Sequence, residues 1–156
     1  MRIYLDACAI NRLTDDQLQA RILAEAEAVE QVLDLVSTGR GRWIASSTLR
    51  DELERNPNEA KRAVSLALLD FASEFVEPNK ATLRRASVLA ADGFGSFDAL
   101  HLALAEEAQA EYLLTVDDRF IGCAARTRSN LLPTVMNPID LLKRRVQWRL
   151  QPESTR

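Results

Sequence analysis

Residues 96–120 constrain the fold of this chain more than any other stretch, because a helical pattern runs directly into a strand pattern. The first half repeats apolar residues at helical spacing, and residues 112–116 form a short apolar run typical of a strand buried on both faces. Ser96 is the expected N-cap of the helix, and Asp98 lies in its first turn. A helix that leads into a parallel strand starts at the edge where the strand ends. We therefore expect Asp98 and Asp117 to be neighbours.

The rest of the chain repeats this alternation of strands and helices. Four further β-rich runs are predicted as strands at residues 2–5, 43–46, 75–76 and 133–136. Candidate helix N-caps separate them at residues 14–16, at Ser47 or Thr48, at Asn58 and at Asn79, and Pro138 starts a last helix. The helix after Asn58 is expected to bury one apolar face formed by Val64, Ala67, Leu68 and Phe71.

This alternation predicts an α/β fold, a three-layer α/β/α sandwich around a short, mostly parallel sheet of about five strands. The 156 residues fit one domain, which we place at residues 1–150, followed by a flexible C-terminal tail at residues 151–156.

Composition excludes several classes of protein. Hydrophobic residues make up 47% and charged residues 28% of the chain, as in ordinary globular proteins. The net charge of −3 argues against a protein that binds along nucleic acid non-specifically through positive charge. The two cysteines lack the spacing of a zinc or redox site. There is neither an apolar run of membrane-spanning length nor a cleavable leader at the start, so we expect a cytoplasmic protein without a membrane partner.

Acidic residues mark the predicted carboxyl edge of the sheet. Asp6 ends the first strand and Glu52 lies just past the second, so that both join Asp98 and Asp117 where open α/β sheets bind ligands. Each acid alone has a simpler interpretation as a turn or first-turn residue, but four together repel one another unless a cation is present. Oxygen ligands favour Mg²⁺ or Mn²⁺, and such a site next to a phosphodiester supports its hydrolysis.

Several segments carry a resemblance to a known family. They read IYLDACAIN, SSTLRDELE, GSFDALHLALA, YLLTVDDRF and NPIDLL in chain order. Their order and spacing resemble the PIN domain family, in particular the VapC-like ribonuclease toxins of bacterial toxin–antitoxin pairs. The resemblance implies a Mg²⁺- or Mn²⁺-dependent endoribonuclease that cuts RNA. It also implies a homodimer and a small antitoxin protein whose arginine reaches the acidic pocket.

The resemblance also assigns the site residue by residue. The implied metal-binding and catalytic residues are Asp6, Glu52, Asp98 and Asp117. Asp117 fits better than Asp118, because Thr115 stands two residues before it and Phe120 three after. Thr115 would orient the site through its hydroxyl, and Asp118 is a possible accessory. In the second motif, Glu52 aligns better than its acidic neighbours Asp51 and Glu54.

Three further residues near the motifs each have two interpretations. His101 is either a general base or a packed histidine with both nitrogens hydrogen-bonded. Asn11 either contacts phosphate or caps the following turn. Cys8 is either a small buried hydrophobe or a site contact. The pair Ala7-Cys8 stands where members of the family commonly carry hydroxyl or amide side chains after the first acid.

Two other functions stay open from the sequence. One is a PIN-like binding module with little or no nuclease turnover, which the departure at Cys8 and the acidic balance would allow. The other is a phosphoryl-transfer enzyme with Asp6 as nucleophile. That chemistry needs a second acid two residues later, where Cys8 stands.

Overall fold

The computed structural model describes residues 1–150, with side chains described as far as residue 147. The predicted tail at residues 151–156 lies outside the described residues. The strands are β1 (Arg2–Leu5), β2 (Arg42–Ser46), β3 (Glu74–Val76), β4 (Tyr112–Leu114) and β5 (Thr134–Met136). They form one sheet in the order β3-β2-β1-β4-β5, and every pairing is parallel. The predicted parallel α/β architecture is confirmed.

Helices connect the strands. They are α1 (Ala7–Asn11), α2 (Ala20–Ser37), α3 (Ser47–Glu54), α4 (Glu59–Leu68), α5 (Lys80–Ala91), α6 (Ser96–Glu107), α7 (Asp118–Arg126) and α8 (Pro138–Leu150). A 3-10 turn, Leu69–Phe71, follows α4. Within residues 1–150, no helix has the length and apolar character needed to cross a membrane.

The two faces of the sheet bury two separate apolar clusters. Along β1, Ile3 and Leu5 pack against α1, α2, α3 and α8, while Tyr4 between them packs against α5, α6 and α7. All three side chains are fully buried. Successive side chains of a strand point to opposite faces, so a strand between two helical layers is apolar throughout. This arrangement is the predicted three-layer sandwich.

The strand order creates a crevice between β1 and β4. The connection after β1 leads to β2 on one side, whereas the connection after β4 leads to β5 on the other. In open α/β sheets, ligands bind at the carboxyl ends of strands where the order reverses in this way. The amide of Asp6 donates a 3.1 Å hydrogen bond to the carbonyl oxygen of Leu114, which holds the two strand ends together.

The start of the long helix α2 was predicted wrongly. It begins at Ala20 after Gln19, which makes no side-chain cap, and not after residues 14–16. The amides of Thr14 and Asp15 donate to the carbonyl oxygen of Asn11 instead, so this segment continues the turn that ends α1. The five-residue helix α1 was not predicted, because it is too short to show a periodic pattern.

Two other helix starts differ by one residue from prediction. The N-cap of α6 is Gly95 and not Ser96, and the N-cap of α3 is Ser46, whose hydroxyl accepts from the amide of Leu49. The caps at Asn58 and Asn79 are confirmed. For α3 and α6 a polar residue lies next to the true cap, and residue type alone does not distinguish the two positions.

The predicted apolar face of α4 is wrong at its largest residues. Val64 is 50% exposed and Phe71 is 72% exposed, whereas Ser65 and Leu69 are buried. The neighbouring strand β3 forms one edge of the sheet. A helix at the edge has no full layer to cover it, so helical periodicity overestimates its burial.

Candidate active site

Asp6 lies directly after β1 and is almost fully buried, with 2% of its surface exposed. It is the N-cap of α1, and its Oδ1 accepts a 2.9 Å hydrogen bond from the amide of Ala9. Burial raises the pKa of Asp6 to about 6, against the opposing effects of the Thr115 hydroxyl and the Ala9 amide. Within the described residues, Asp6 has no arginine or lysine partner. The carboxylate is buried without a compensating charge.

Asp98 and Asp117 are neighbours, as predicted. Asp98 lies in the first turn of α6, Asp117 is the N-cap of α7, and both line a cavity of about 350 Å³. Burial, and then the charge of Asp117, raise the pKa of Asp98 to about 6. The amide of Asp117 donates to the hydroxyl of Thr115 at 3.1 Å, so Thr115 contacts the turn that carries the last acid.

Glu52 is the acid of α3 that faces the others. Its charge raises the pKa values of Asp6 and Asp98, and its Oε2 lies 3.0 Å from Nε2 of His101. The alternatives Asp51 and Glu54 are exposed on the same helix. The structure thus brings Glu52 close to Asp6 and Asp98.

Cys8 stands among all four acids. Burial raises the pKa of its thiol to about 12, with additional contributions from the charges of Asp6, Glu52, Asp117 and Asp98. The side chain is half-buried rather than fully buried. A thiol that keeps its proton among four carboxylates is a poor ligand for a hard cation. The charges of all four acids act on this thiol, so the four acids lie in the same region of the molecule.

Two accessory candidates have other partners in the structure. Asp118 is 69% exposed, and both of its oxygens accept from the guanidinium of Arg21 at 2.9 Å. Asn11 ends α1, and its Oδ1 lies 3.4 Å from the hydroxyl of Ser65. Its backbone carbonyl oxygen, and not its side chain, accepts the amides of the following turn.

His101 is packed with both ring nitrogens hydrogen-bonded, one to Glu52 and the other to the hydroxyl of Tyr4. Tyr4 in turn contacts the hydroxyl of Ser46. Sequence reasoning missed Tyr4 and Ser46. The available signal was a tyrosine between two apolar residues of a predicted buried strand, because a buried tyrosine hydroxyl usually has a hydrogen-bond partner.

The donor set fits a hard divalent cation. No group of three or more acid, histidine or cysteine side chains in the described part of the chain already converges at metal-ligand distance. Mg²⁺ commonly takes one or two carboxylates, keeps several waters and binds substrate phosphate, so it does not need a closed protein cage. Burial is the main cause of the raised pKa values of Asp6 and Asp98, and a nearby cation would favour the charged form of both carboxyl groups.

Comparison with known proteins decides the family. The family model for the PIN domain matches residues 3–125. This chain belongs to the PIN domain family. No protein of curated function matches the sequence.

Solved structures agree with the fold of this PIN domain. A chain in the crystal structure of VapBC2 from Rickettsia felis, bound to a DNA fragment from their promoter, superposes with a TM-score of 0.60. The two chains share 14% sequence identity, and the match covers 88% of this chain and 98% of the chain from Rickettsia felis. Mycobacterium tuberculosis VapC20, described as a Sarcin-Ricin loop cleaving toxin, gives a TM-score of 0.58 at 14% identity, covering 83% and 98%. The PIN domain is therefore VapC-like in fold.

Proposed function

We propose that this PIN domain is a Mg²⁺- or Mn²⁺-dependent endoribonuclease that hydrolyses RNA phosphodiester bonds. The supporting observation is the group of four carboxylates at the carboxyl edge of the sheet, Asp6, Glu52, Asp98 and Asp117. None of the four forms a salt bridge with an arginine or lysine of the described residues. A divalent cation would complete this charge balance.

The roles follow from the positions of the side chains. Asp6 and Asp98, whose pKa values burial raises, would gain most from a nearby cation, and the charges of Glu52 and Asp117 both act on Asp98. Thr115 would orient Asp117 through its contact with the backbone amide. When bound, the cation supplies the charge that activates water and stabilises the leaving oxygen of an in-line displacement. The expected products carry 5′-phosphate and 3′-hydroxyl ends.

Cleavage of RNA by the purified protein tests the proposal. We expect cleavage with Mg²⁺, none with excess chelator, and a loss of roughly 10³-fold in the Asp98→Asn variant. Asp118→Asn is the matched control, because Asp118 is a neighbouring acid that pairs with Arg21. Equal cleavage by the wild type with Mg²⁺, by the wild type with chelator and by Asp98→Asn would reject the mechanism.

A binding module without turnover is the competing proposal, and the position of Cys8 among the acids favours it. Calorimetric titration with Mn²⁺ separates the two proposals. A nuclease must bind Mn²⁺ at the acids and lose that binding in Asp98→Asn, whereas a silent module need not bind it. Mn²⁺ binding together with cleavage excludes the module.

We also propose that the chain is the toxin of a toxin–antitoxin pair, acts in the cytoplasm and forms a homodimer. The similarity in fold to VapBC2 and VapC20 supports the pair, and the exposed apolar residues Val64 and Phe71 are available for a protein interface. The antitoxin would be a small protein that places an arginine among the four acids, since guanidinium groups pair well with carboxylates. Light scattering of the chain alone, and co-purification with the protein encoded upstream, would test the two interactions.

A further inference from the structure

A chain of buried polar groups runs from β1 to the acid of α3. The hydroxyl of Tyr4 lies 2.6 Å from Oγ of Ser46 and 2.7 Å from Nδ1 of His101, and Nε2 of His101 lies 3.0 Å from Oε2 of Glu52. Tyr4 and Ser46 are fully buried, and His101 is 1% exposed. Hydrogen bonds of such short length in a buried setting are well satisfied and fix their side chains.

These hydrogen bonds connect β1, α3 and α6. Asp6 directly follows β1, and α3 and α6 carry Glu52 and Asp98. Tyr4 lies two residues before Asp6 on β1, and His101 lies one helical turn after Asp98 on α6. Ser46 caps α3, which carries Glu52. The polar groups therefore contact α3 at both its N-terminus and its acid. A shift of any of the three elements would stretch a hydrogen bond.

The chemistry of the groups sets the direction of the hydrogen bonds. An ionised Glu52 only accepts, so Nε2 of His101 donates to it, and Nδ1 of the neutral ring is then an acceptor. The hydroxyl of Tyr4 donates to Nδ1 and accepts from the hydroxyl of Ser46, whose oxygen also accepts from the amide of Leu49. Burial raises the pKa of Tyr4, so its hydroxyl keeps the proton that it donates.

We propose that Tyr4 is a positioning residue: through His101 it fixes Glu52 so that one carboxylate oxygen is held and the other faces the site. Oε2 is bound to His101, and no described residue donates a hydrogen bond to Oε1. The imidazole is also held by its neighbours, because Phe97 stacks on it at 6.3 Å between ring centroids and the Tyr4 ring lies at 5.5 Å. A carboxylate fixed in this way needs no rearrangement when it binds a cation.

This inference rests on the proposed function only for its effect on metal binding and cleavage. The hydrogen-bond chain itself can be tested separately, because His101 is the only histidine of the sequence. A protein freed of any affinity tag therefore gives one set of imidazole signals. Long-range ¹H–¹⁵N correlation spectra would then show which nitrogen carries the proton.

We expect the wild-type spectrum to show the proton on Nε2, and the Nδ1 signal to shift in Tyr4→Phe, which loses the donor to that nitrogen. Tyr112→Phe is the matched control. It makes the same substitution on the adjacent strand β4, and the Tyr112 hydroxyl has no hydrogen-bond partner among the described residues. A proton on Nδ1 in the wild type, or a Nδ1 signal that is the same in Tyr4→Phe, would overturn the proposal.

The consequence for the site is measured by Mn²⁺ titration and by cleavage. Loss of an outer partner of a metal ligand typically costs 10–100-fold in affinity or activity, so we expect Tyr4→Phe to bind Mn²⁺ about tenfold more weakly. Tyr112→Phe should bind as the wild type does. If Tyr4→Phe binds and cleaves like the wild type, Tyr4 is only a core residue. If the wild type neither binds Mn²⁺ nor cleaves RNA, the proposed function fails, and the spectra alone decide whether the hydrogen-bond chain exists.

Two substitutions of His101 separate positioning from packing. In His101→Gln, the side-chain amide reaches far enough to donate to Glu52, whereas in His101→Asn it is too short to do so. His101→Gln keeps the hydrogen bond to Glu52 but loses the one from Tyr4, so we expect it to bind Mn²⁺ about tenfold more weakly, as Tyr4→Phe does. His101→Asn also loses the hydrogen bond to Glu52, so we expect its loss to be larger, up to about 100-fold. Equal losses in both variants would contradict a role that depends on the hydrogen bond to Glu52.

Discussion

Two buried carboxylates of this chain have opposite surroundings. Glu25 on α2 is fully buried, and its oxygens accept from Arg12 at 3.3 Å, from Arg21 at 3.2 Å and from the amide of Asn137 at 2.6 Å. Asp6 is buried to nearly the same degree, but a backbone amide and a hydroxyl are its only partners within the described residues.

The difference separates an acid that the chain neutralises with its own arginines from an acid that it does not. Two arginines neutralise Glu25, and together with Asn137 they connect α2 to the turn after α1 and to the residue before α8. Asp6 instead has the charge of Glu52 nearby and no arginine or lysine partner among the described residues. A buried charge without a partner is costly, and proteins keep such groups mainly at functional sites.

The adjacent acids Asp117 and Asp118 give the sharpest test of this distinction. Both belong to the N-terminus of α7, but Asp118 pairs with Arg21 and Asp117 does not. We expect Asp117→Asn to lower RNA cleavage by roughly 10³-fold, because asparagine keeps the helix cap but lacks the charge. Asp118→Asn should stay within about threefold, since its only partner is an exposed arginine. Similar losses in both variants would break the distinction between paired and unpaired acids.

The next largest effect is expected at Glu25, and it concerns stability rather than activity. Glu25→Gln removes the charge that Arg12 and Arg21 share. Breaking a buried ion pair typically costs 3–5 kcal/mol, but Arg21 is 55% exposed and can reach water, so we expect a loss of about 2–3 kcal/mol. Urea unfolding at pH 7 measures it. A change below about 0.5 kcal/mol would show that Glu25 does not hold the fold, since that is the range of ordinary surface substitutions.

Removing the charge of Asp6 should stabilise the metal-free protein, whereas removing the charge of Glu25 should destabilise it. The folded pKa of Asp6, about 6, lies above the unfolded value of about 3.9, so the folded state binds more protons between these values. The free energy of unfolding of the wild type should therefore fall as pH rises from about 4 to about 6. Asp6→Asn should reduce this slope to the part that Asp98 contributes, and it should be more stable than the wild type by about 1–2 kcal/mol at pH 7.

Adding Mn²⁺ provides the control for Asp6. The cation stabilises a protein that binds it only when folded, so it should raise the wild-type melting temperature. The same addition should change Asp6→Asn much less. A metal-free Asp6→Asn variant that is less stable than the wild type at pH 7 would contradict the view that Asp6 is an uncompensated charge.

Much of the acidic site follows from the sequence, because it depends on local order along the chain. A helix that starts with Asp98 and a parallel strand that ends before Asp117 must meet at one edge, and the structure places both beside one cavity. Asp6 follows from the same argument applied to the first strand. The choice of Glu52 over its acidic neighbours rested on the family resemblance.

The parts that could not be predicted depend on contacts between residues that are distant in sequence. Tyr4 and Ser46 are separated by 42 residues, and Glu25 and Asn137 by 112. No pattern along the chain indicates that these polar groups meet. The exposure of Phe71 has a similar cause, since periodicity identifies an apolar face but not whether the helix lies over the middle or the edge of the sheet.

The smallest expected effect is at the amino-terminal ends of the strands, away from the four acids. There Glu74 accepts hydrogen bonds from the guanidinium groups of Arg2 and Arg42. The hydrogen bond from Arg2 lowers the pKa of Glu74 to about 2, below the unfolded value of about 4.3. Its contribution is therefore present above about pH 4.3 and is lost as pH falls toward 2, which is the reverse of Asp6.

Glu74→Gln should consequently cost about 0.5–1 kcal/mol at pH 6, as expected of a partly exposed ion pair, and this cost should shrink between about pH 4 and pH 2. Thermal unfolding of the two proteins at matched pH values measures the difference. Mn²⁺ affinity should be unchanged, because Glu74 starts β3 while the four acids lie at the carboxyl ends of the strands. A variant that lost Mn²⁺ affinity without losing stability would show that the two edges are coupled, and that the division into paired and unpaired acids does not describe this protein.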